Sequence, residues 1–100
     1  MNYKVIAPKQ VAPLLESPDT VVLDMRDSRA YVEGHIGHAI QASQEHIVKI
    51  IEEQGAEAPV VVYCYHGISS RKLAEALASQ GLNQVYSLEG GWAAWCLHNR

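Results

Sequence analysis

The sequence predicts an α/β fold: one domain over residues 1–100, with a central five-stranded, mostly parallel sheet and helices on both faces. Three observations lead there. Short β-branched runs alternate with helical stretches along the chain, as they do where strand–helix–strand units build a parallel sheet. The middle strands are almost wholly apolar, as expected for strands covered on both faces. Glycines stand where the longer helical stretches should stop, at Gly55 and Gly81. One hundred residues suit a single domain that buries a core without disulfide or metal staples.

In chain order, residues 3–6 (Tyr-Lys-Val-Ile) read as a first strand. Pro8 suits the first turn of a helix over 8–16, where its missing N–H has no partner to lose; Pro13, inside that stretch, should kink or shorten it. Residues 20–24 form a second, apolar strand. Ser28 can cap a short helix to Glu33, with Gly34 placed to end it. Residues 39–42 give a short third strand. Between 43 and 54 the apolar residues Ile47, Val48, Ile50 and Ile51 recur at helical spacing. Residues 59–64 (Pro-Val-Val-Val-Tyr-Cys) are the strongest strand, with proline at its first residue, where it is tolerated. A second amphipathic helix follows over 69–80, with Leu73, Ala74, Leu77 and Ala78 on one face. Residues 84–88 are the fifth strand, and Gly90-Gly91 leads into a last helix carrying Trp92, Trp95 and Cys96.

Composition narrows the function. The chain is 48% hydrophobic with a formal net charge of −3, and nucleic-acid binding needs clustered Lys and Arg instead. No apolar run approaches the length of a membrane span, and the first residues lack the apolar core of a signal peptide. The expectation is a cytoplasmic protein with neither nucleic-acid nor membrane partners. Its two cysteines, Cys64 and Cys96, are too few for a disulfide framework.

Cys64 carries most of the functional signal. In parallel sheets the binding site lies beyond the carboxyl ends of the strands, and Cys64 stands at such an end, followed by Tyr65-His66-Gly67-Ile68-Ser69-Ser70-Arg71. A cysteine between a strand and a helix N-terminus meets the positive end of the helix dipole, which favours the thiolate. A tight loop there can turn several backbone N–H groups towards one anion. Gly67 permits a left-handed turn, Ser69 or Ser70 can cap the helix, and Arg71 and Lys72 add positive charge. A lone cysteine ending a buried strand is ordinarily an inert core residue; the strand–Cys–loop–helix setting favours chemistry instead.

At these residues the sequence resembles the rhodanese family, in particular its short single-domain thiosulfate sulfurtransferases of the glycerol-regulon (GlpE-like) type. The resemblance rests on three segments in order. Val22-Leu23-Asp24-Met25-Arg26-Asp27, with Tyr31, Glu33-Gly34-His35-Ile36 and Ala39, is similar to the family's first signature. Cys64-Tyr65-His66-Gly67 with Ser69-Ser70 is similar to the catalytic loop, and Val85-Tyr86-Ser87-Leu88-Glu89-Gly90-Gly91-Trp92 with Trp95 is similar to the closing signature. The resemblance implies a rhodanese-like domain in which Cys64 attacks the outer sulfur of thiosulfate, releases sulfite and becomes a persulfide. The sulfur then passes to cyanide, to a thiol, or to a sulfur-accepting protein. It implies that Tyr65, His66, Gly67, Ile68, Ser69, Ser70 and Arg71 bind the substrate, the backbone N–H groups of 65–70 cradling the anion. No metal and no cofactor are called for.

Two alternatives stay open from sequence. Cysteine-dependent phosphatases and arsenate reductases of rhodanese-like fold carry an Arg six positions after the Cys to grip phosphate bidentately; that position is Ser70 here, with Arg71 one later, and Tyr63 precedes the Cys where a phosphatase commonly has His. The other is a non-catalytic rhodanese-like binding module or sulfur carrier; binding modules typically lack the cysteine, which this chain keeps, and a carrier role is the same chemistry with another partner. Ile68 stands where a polar residue is expected. Asp24 and Arg26 read as structural groups bonding backbone at strand ends. His35 and His38 lack the further ligands of a metal site. His66 belongs to the loop, Trp92 and Trp95 read as core and rim aromatics, and Cys96 as a partly buried helix residue.

Overall fold

The structure, a computed structural model, describes residues 2–99. Its elements are β1 (Lys4–Ile6), α1 (Pro8–Leu15), β2 (Val21–Asp24), α2 (Ser28–Glu33), β3 (Ile40–Gln41), α3 (Gln44–Glu53), β4 (Val60–Tyr63), α4 (Ser69–Ser79), β5 (Val85–Leu88) and α5 (Gly91–His98). The five strands form one sheet in the order β1-β5-β4-β2-β3. Every pairing is parallel, so the sheet is wholly parallel where the sequence predicted mostly parallel.

Side-chain alternation along the strands divides the core in two. Val60 and Val62 of β4, Leu23 of β2 and Val85 of β5 pack with Ile50 of α3 and with Ala74, Leu77 and Ala78 of α4. Val61 and Tyr63 of β4, Val22 of β2 and Leu88 of β5 pack with Val11 of α1, with Trp92 and Trp95 of α5 against their edge. All four residues of β4 are buried, which explains why that segment reads as an unbroken apolar run.

Helix ends depart from the sequence reading in instructive ways. Asp27, and not Ser28, caps α2, its carboxylate accepting from the Ala30 amide at 2.9 Å. Ser43 caps α3 by accepting from His46. Neither Ser69 nor Ser70 caps α4, whose N-cap position is Ile68 and has no side-chain cap; the Ser70 hydroxyl is turned inward instead. Pro13 lies inside α1, which ends two residues later at Leu15. Cys96 is exposed, contrary to the expected partial burial, because α5 turns Trp92 and Trp95 towards the sheet.

The strand order also places the site. From β4 the chain continues towards β5 on one side, and from β2 towards β3 on the other. The carboxyl ends of adjacent β4 and β2 are therefore the point where the winding reverses, and a crevice opens there in such sheets. Among the described residues no helix is long and apolar enough to cross a membrane.

Candidate active site

Cys64 follows β4 directly and its side chain is nearly covered. The sulfur receives the Gly67 amide at 3.2 Å and the Ser70 amide at 3.3 Å, and the Ser70 hydroxyl lies 3.4 Å away. Burial pushes the Cys64 thiol up, but the hydrogen bonds from Ser70 hydroxyl, Ser70 amide, Gly67 amide and His66 amide outweigh it and hold the thiol below its ordinary value. The donors thus favour the thiolate more than their absence would, and for a buried sulfur this takes several of them converging.

Those donors face inward because the loop's carbonyls are tied down behind it. The amides of Trp92 and Ala93, in the first turn of α5, donate to the carbonyls of Cys64 at 2.8 Å and Tyr65 at 3.0 Å. Helix-terminal N–H groups lack partners within their own helix, so the two needs are met together. The fit leaves no room for side chains between loop and helix. Gly67 has φ +84°, and a Cβ there would stand 2.7 Å from the Gly90 nitrogen; a Cβ on Gly91, at φ +58°, would collide with the Cys64 carbonyl. This is why glycines sit at both positions.

The expected site residues, catalytic Cys64 and the substrate-binding residues 65–71, separate into three groups. Cys64, Tyr65, His66, Ile68 and Ser69, together with Met25, line an open cavity of about 460 Å³. Gly67 and Ser70 lie beneath it, on the sulfur. Arg71 does not line the cavity; its Nε donates to the Gly67 carbonyl at 3.1 Å and so braces the loop from behind. The mouth is more apolar than the sequence reading anticipated, since Ile68 is 76% exposed and Tyr65 42% exposed beside Met25. The Tyr65 hydroxyl donates to the Asp27 carboxylate; that bond pulls the Asp27 carboxyl down and pushes the Tyr65 phenol up.

Behind the loop lies a buried polar cluster. Arg26 pairs with Asp24 at 2.7 Å and donates to the Gly34 carbonyl, and the Tyr63 hydroxyl donates to Asp24 while accepting from the Ile36 amide. The Arg26 guanidinium lies 4.1 Å from the Trp92 ring centre, a cation–π contact that links the first and last signatures. Burial and the bond to Asp24 push the Tyr63 phenol well up, so it stays neutral. His35 meets the Tyr31 carbonyl and His38 the Thr20 carbonyl. Among the described residues no group of three His, Cys, Asp or Glu is placed to hold a metal.

Three features were missing from the sequence reading. Met25 enters the cavity wall because β2 ends beside β4, and the α5 amides that hold the loop are backbone, with no sequence signal beyond the paired glycines. Ser87 is fully buried on β5 with its hydroxyl 2.8 Å from the Ser70 hydroxyl. Its signal was a lone polar residue inside an apolar central strand.

The family model for the Rhodanese-like domain matches residues 7–98 of this chain. The chain belongs to the rhodanese family. A rhodanese relative from Coxiella burnetii, "Thiosulfate sulfurtransferase GlpE", is 41% identical over 99 residues, covering 99% of this chain and 92% of its own. The protein of the same name from Shewanella oneidensis is 36% identical over 94 residues, covering 94% and 93%. Among solved structures, a rhodanese-related protein from Thermoplasma volcanium superposes with a TM-score of 0.74 at 25% identity, covering 96% of this chain and 93% of that one. The three sequence segments that resembled rhodanese signatures are the segments that β2, the Cys64 loop and the β5–α5 turn bring together.

Proposed function

We propose that this chain is a thiosulfate sulfurtransferase in which residues 1–100 act as one domain and Cys64 carries the transferred sulfur. One observation carries the reading: the Gly67 amide, the Ser70 amide and the Ser70 hydroxyl all lie within 3.4 Å of a single sulfur at the floor of an open cavity. The name carried by the Coxiella and Shewanella relatives supports it.

In the first step the Cys64 thiolate attacks the outer sulfur of thiosulfate. A sulfur–sulfur bond forms to Cys64, the bond to the sulfonate sulfur breaks, and sulfite leaves with the electron pair. The product is a Cys64 persulfide anion, so one negative charge stays at the loop throughout. A thiolate nucleophile needs no general base, and fixed amide donors stabilise the charge without reorganising. In the second step cyanide, or the thiolate of a small molecule or protein, attacks the outer persulfide sulfur and releases the Cys64 thiolate. The acceptor leaves as thiocyanate or as its own persulfide.

A phosphate-gripping role is disfavoured because Arg71 does not line the cavity and its Nε donates to the Gly67 carbonyl instead. The test is thiocyanate production from thiosulfate and cyanide. Wild type should produce it, and folded Cys64→Ser should not; production by the variant would remove Cys64 from the mechanism.

A further inference from the structure

Beneath Cys64 the hydrogen bonds continue one residue further than the loop. The Ser70 hydroxyl, 3.4 Å from the Cys64 sulfur, is 2.8 Å from the Ser87 hydroxyl, and Ser70 and Ser87 are both fully buried. Strand parity brings Ser87 there. It sits opposite Val62 in the β4–β5 register and shares with Val85 the sheet face that packs against α4, which carries Ser70.

The direction of this chain of hydroxyls is not free. Among the described residues, the Ser87 hydroxyl has a single side-chain hydrogen-bond partner, Ser70. A hydroxyl has one proton to donate, and a buried donor left without an acceptor is costly. If Ser70 donated to Ser87, the Ser87 proton would be stranded in the core. If Ser87 donates to Ser70, the Ser70 proton is left to point at the Cys64 sulfur, where a thiolate accepts it. Neutral Cys64 has the reverse preference, since its S–H would seek the Ser70 oxygen.

We propose that Ser87 is a positioning residue for the sulfur centre: by donating to Ser70, it turns the Ser70 hydroxyl towards the Cys64 sulfur and selects its anionic form. Ser87 touches neither substrate nor the reacting atoms and acts through Ser70 alone. The proposal rests on the Cys64 mechanism above for its role in catalysis, whereas its physical content is the state of one thiol. The same polarity serves the inner sulfur after transfer, keeping a donor on it while the outer sulfur carries the charge.

The experiment measures the rate at which iodoacetamide alkylates Cys64 as a function of pH, with the Cys64 peptide quantified by mass spectrometry so that exposed Cys96 does not contribute. The full chain is used as wild type, Ser87→Ala, Ser70→Ala and the double variant. The expected result for Ser87→Ala is a pH–rate midpoint moved to higher pH and a rate near neutrality that falls about threefold to tenfold, the scale of one hydrogen bond. Ser70→Ala falls at least as far, and adding Ser87→Ala to it changes nothing more. An unchanged profile in Ser87→Ala, or an equal loss in both backgrounds, overturns the proposal. The isosteric pair Ser87→Thr and Ser87→Val repeats the comparison at equal volume should the alanine variant fail to fold: threonine keeps the donor and the lower midpoint, valine does not, and identical profiles again overturn it. Alkylation reads the sulfur whether or not thiosulfate is the donor. Loss of the sulfurtransferase reading and loss of this one are therefore separate outcomes.

Discussion

The backbone amide of Trp92 donates to the carbonyl of Cys64 at 2.8 Å. This bond joins two stretches of sequence far apart in the chain, the loop after β4 and the turn that opens α5. It turns the carbonyl side of the loop towards a helix that has free amides to offer, and leaves the amide side facing the sulfur. The inward orientation of the loop's amides thus depends on α5 as much as on the loop itself.

Gly91 is where that dependence is tested. A methyl group there collides with the Cys64 carbonyl and lies 2.7 Å from the Tyr65 carbonyl carbon, at a left-handed φ. Gly91→Ala is predicted to cost about 3 kcal/mol from overpacking and backbone strain. That corresponds to a fall in melting temperature of roughly 12–24 °C for a domain of this size. Sulfur uptake by the folded fraction should fall too, because the loop is displaced. Thermal unfolding and sulfur uptake below the transition measure both, and a variant as stable and active as wild type would contradict the packing argument.

The lowered Cys64 thiol makes stability depend on pH in a defined sense. In the window between the folded value and the ordinary thiol value near pH 8.5, the unfolded chain binds more protons than the folded one, so stability rises with pH. The thiolate's contribution is complete above the ordinary value and is lost as pH falls through the lowered one. Cys64→Ser lacks this term. The stability difference between wild type and Cys64→Ser, followed by urea unfolding from about pH 6 to about pH 9, is expected to shift in favour of wild type as pH rises. A flat or opposite trend would mean that the thiol is not held below its usual value.

Arg71 braces the loop through the Gly67 carbonyl, and the prediction for it follows from that placement. Arg71→Gln should lower stability by about 1 kcal/mol, the scale of a partly exposed hydrogen bond. The KM for thiosulfate should rise only a few-fold, on the order of a weak surface charge effect. A rise of about a hundredfold would mean that the guanidinium grips the substrate directly.

Asp24 and Arg26 form an ion pair with both side chains almost wholly buried. Asp24→Asn leaves Arg26 charged without a counter-ion and is predicted to destabilise by about 3–5 kcal/mol in denaturant unfolding. Tyr63→Phe removes one donor to Asp24 and one acceptor for the Ile36 amide, and should cost about 1–3 kcal/mol. If Asp24→Asn proved milder than Tyr63→Phe, the pair would not be the centre of this cluster.

Much of the fold was legible because its signals are local. The apolar run at 60–63 reads as a central strand since β4 is buried on both faces, and glycines mark helix ends. Cys64 was legible because strand, cysteine, glycine and helix follow one another without interruption. What was not legible depends on residues brought together by the sheet. Ser70 read as a helix cap because serine before a helix usually is one; it is instead drawn inward by a sulfur and by Ser87 on a neighbouring strand. Arg71 read as a charge beside the substrate because sequence gives proximity but not direction. Met25 and the α5 amides needed the strand order β5-β4-β2, which no local pattern encodes.

Whether Cys64 takes up sulfur is decided by intact mass after incubation with thiosulfate, on wild type and on Cys64→Ser. Wild type is expected to gain one sulfur atom, absent from the variant and removed by cyanide with release of thiocyanate. Folded, reduced wild-type protein that gains no sulfur, or a Cys64→Ser variant that gains it equally, would show that Cys64 does not carry it.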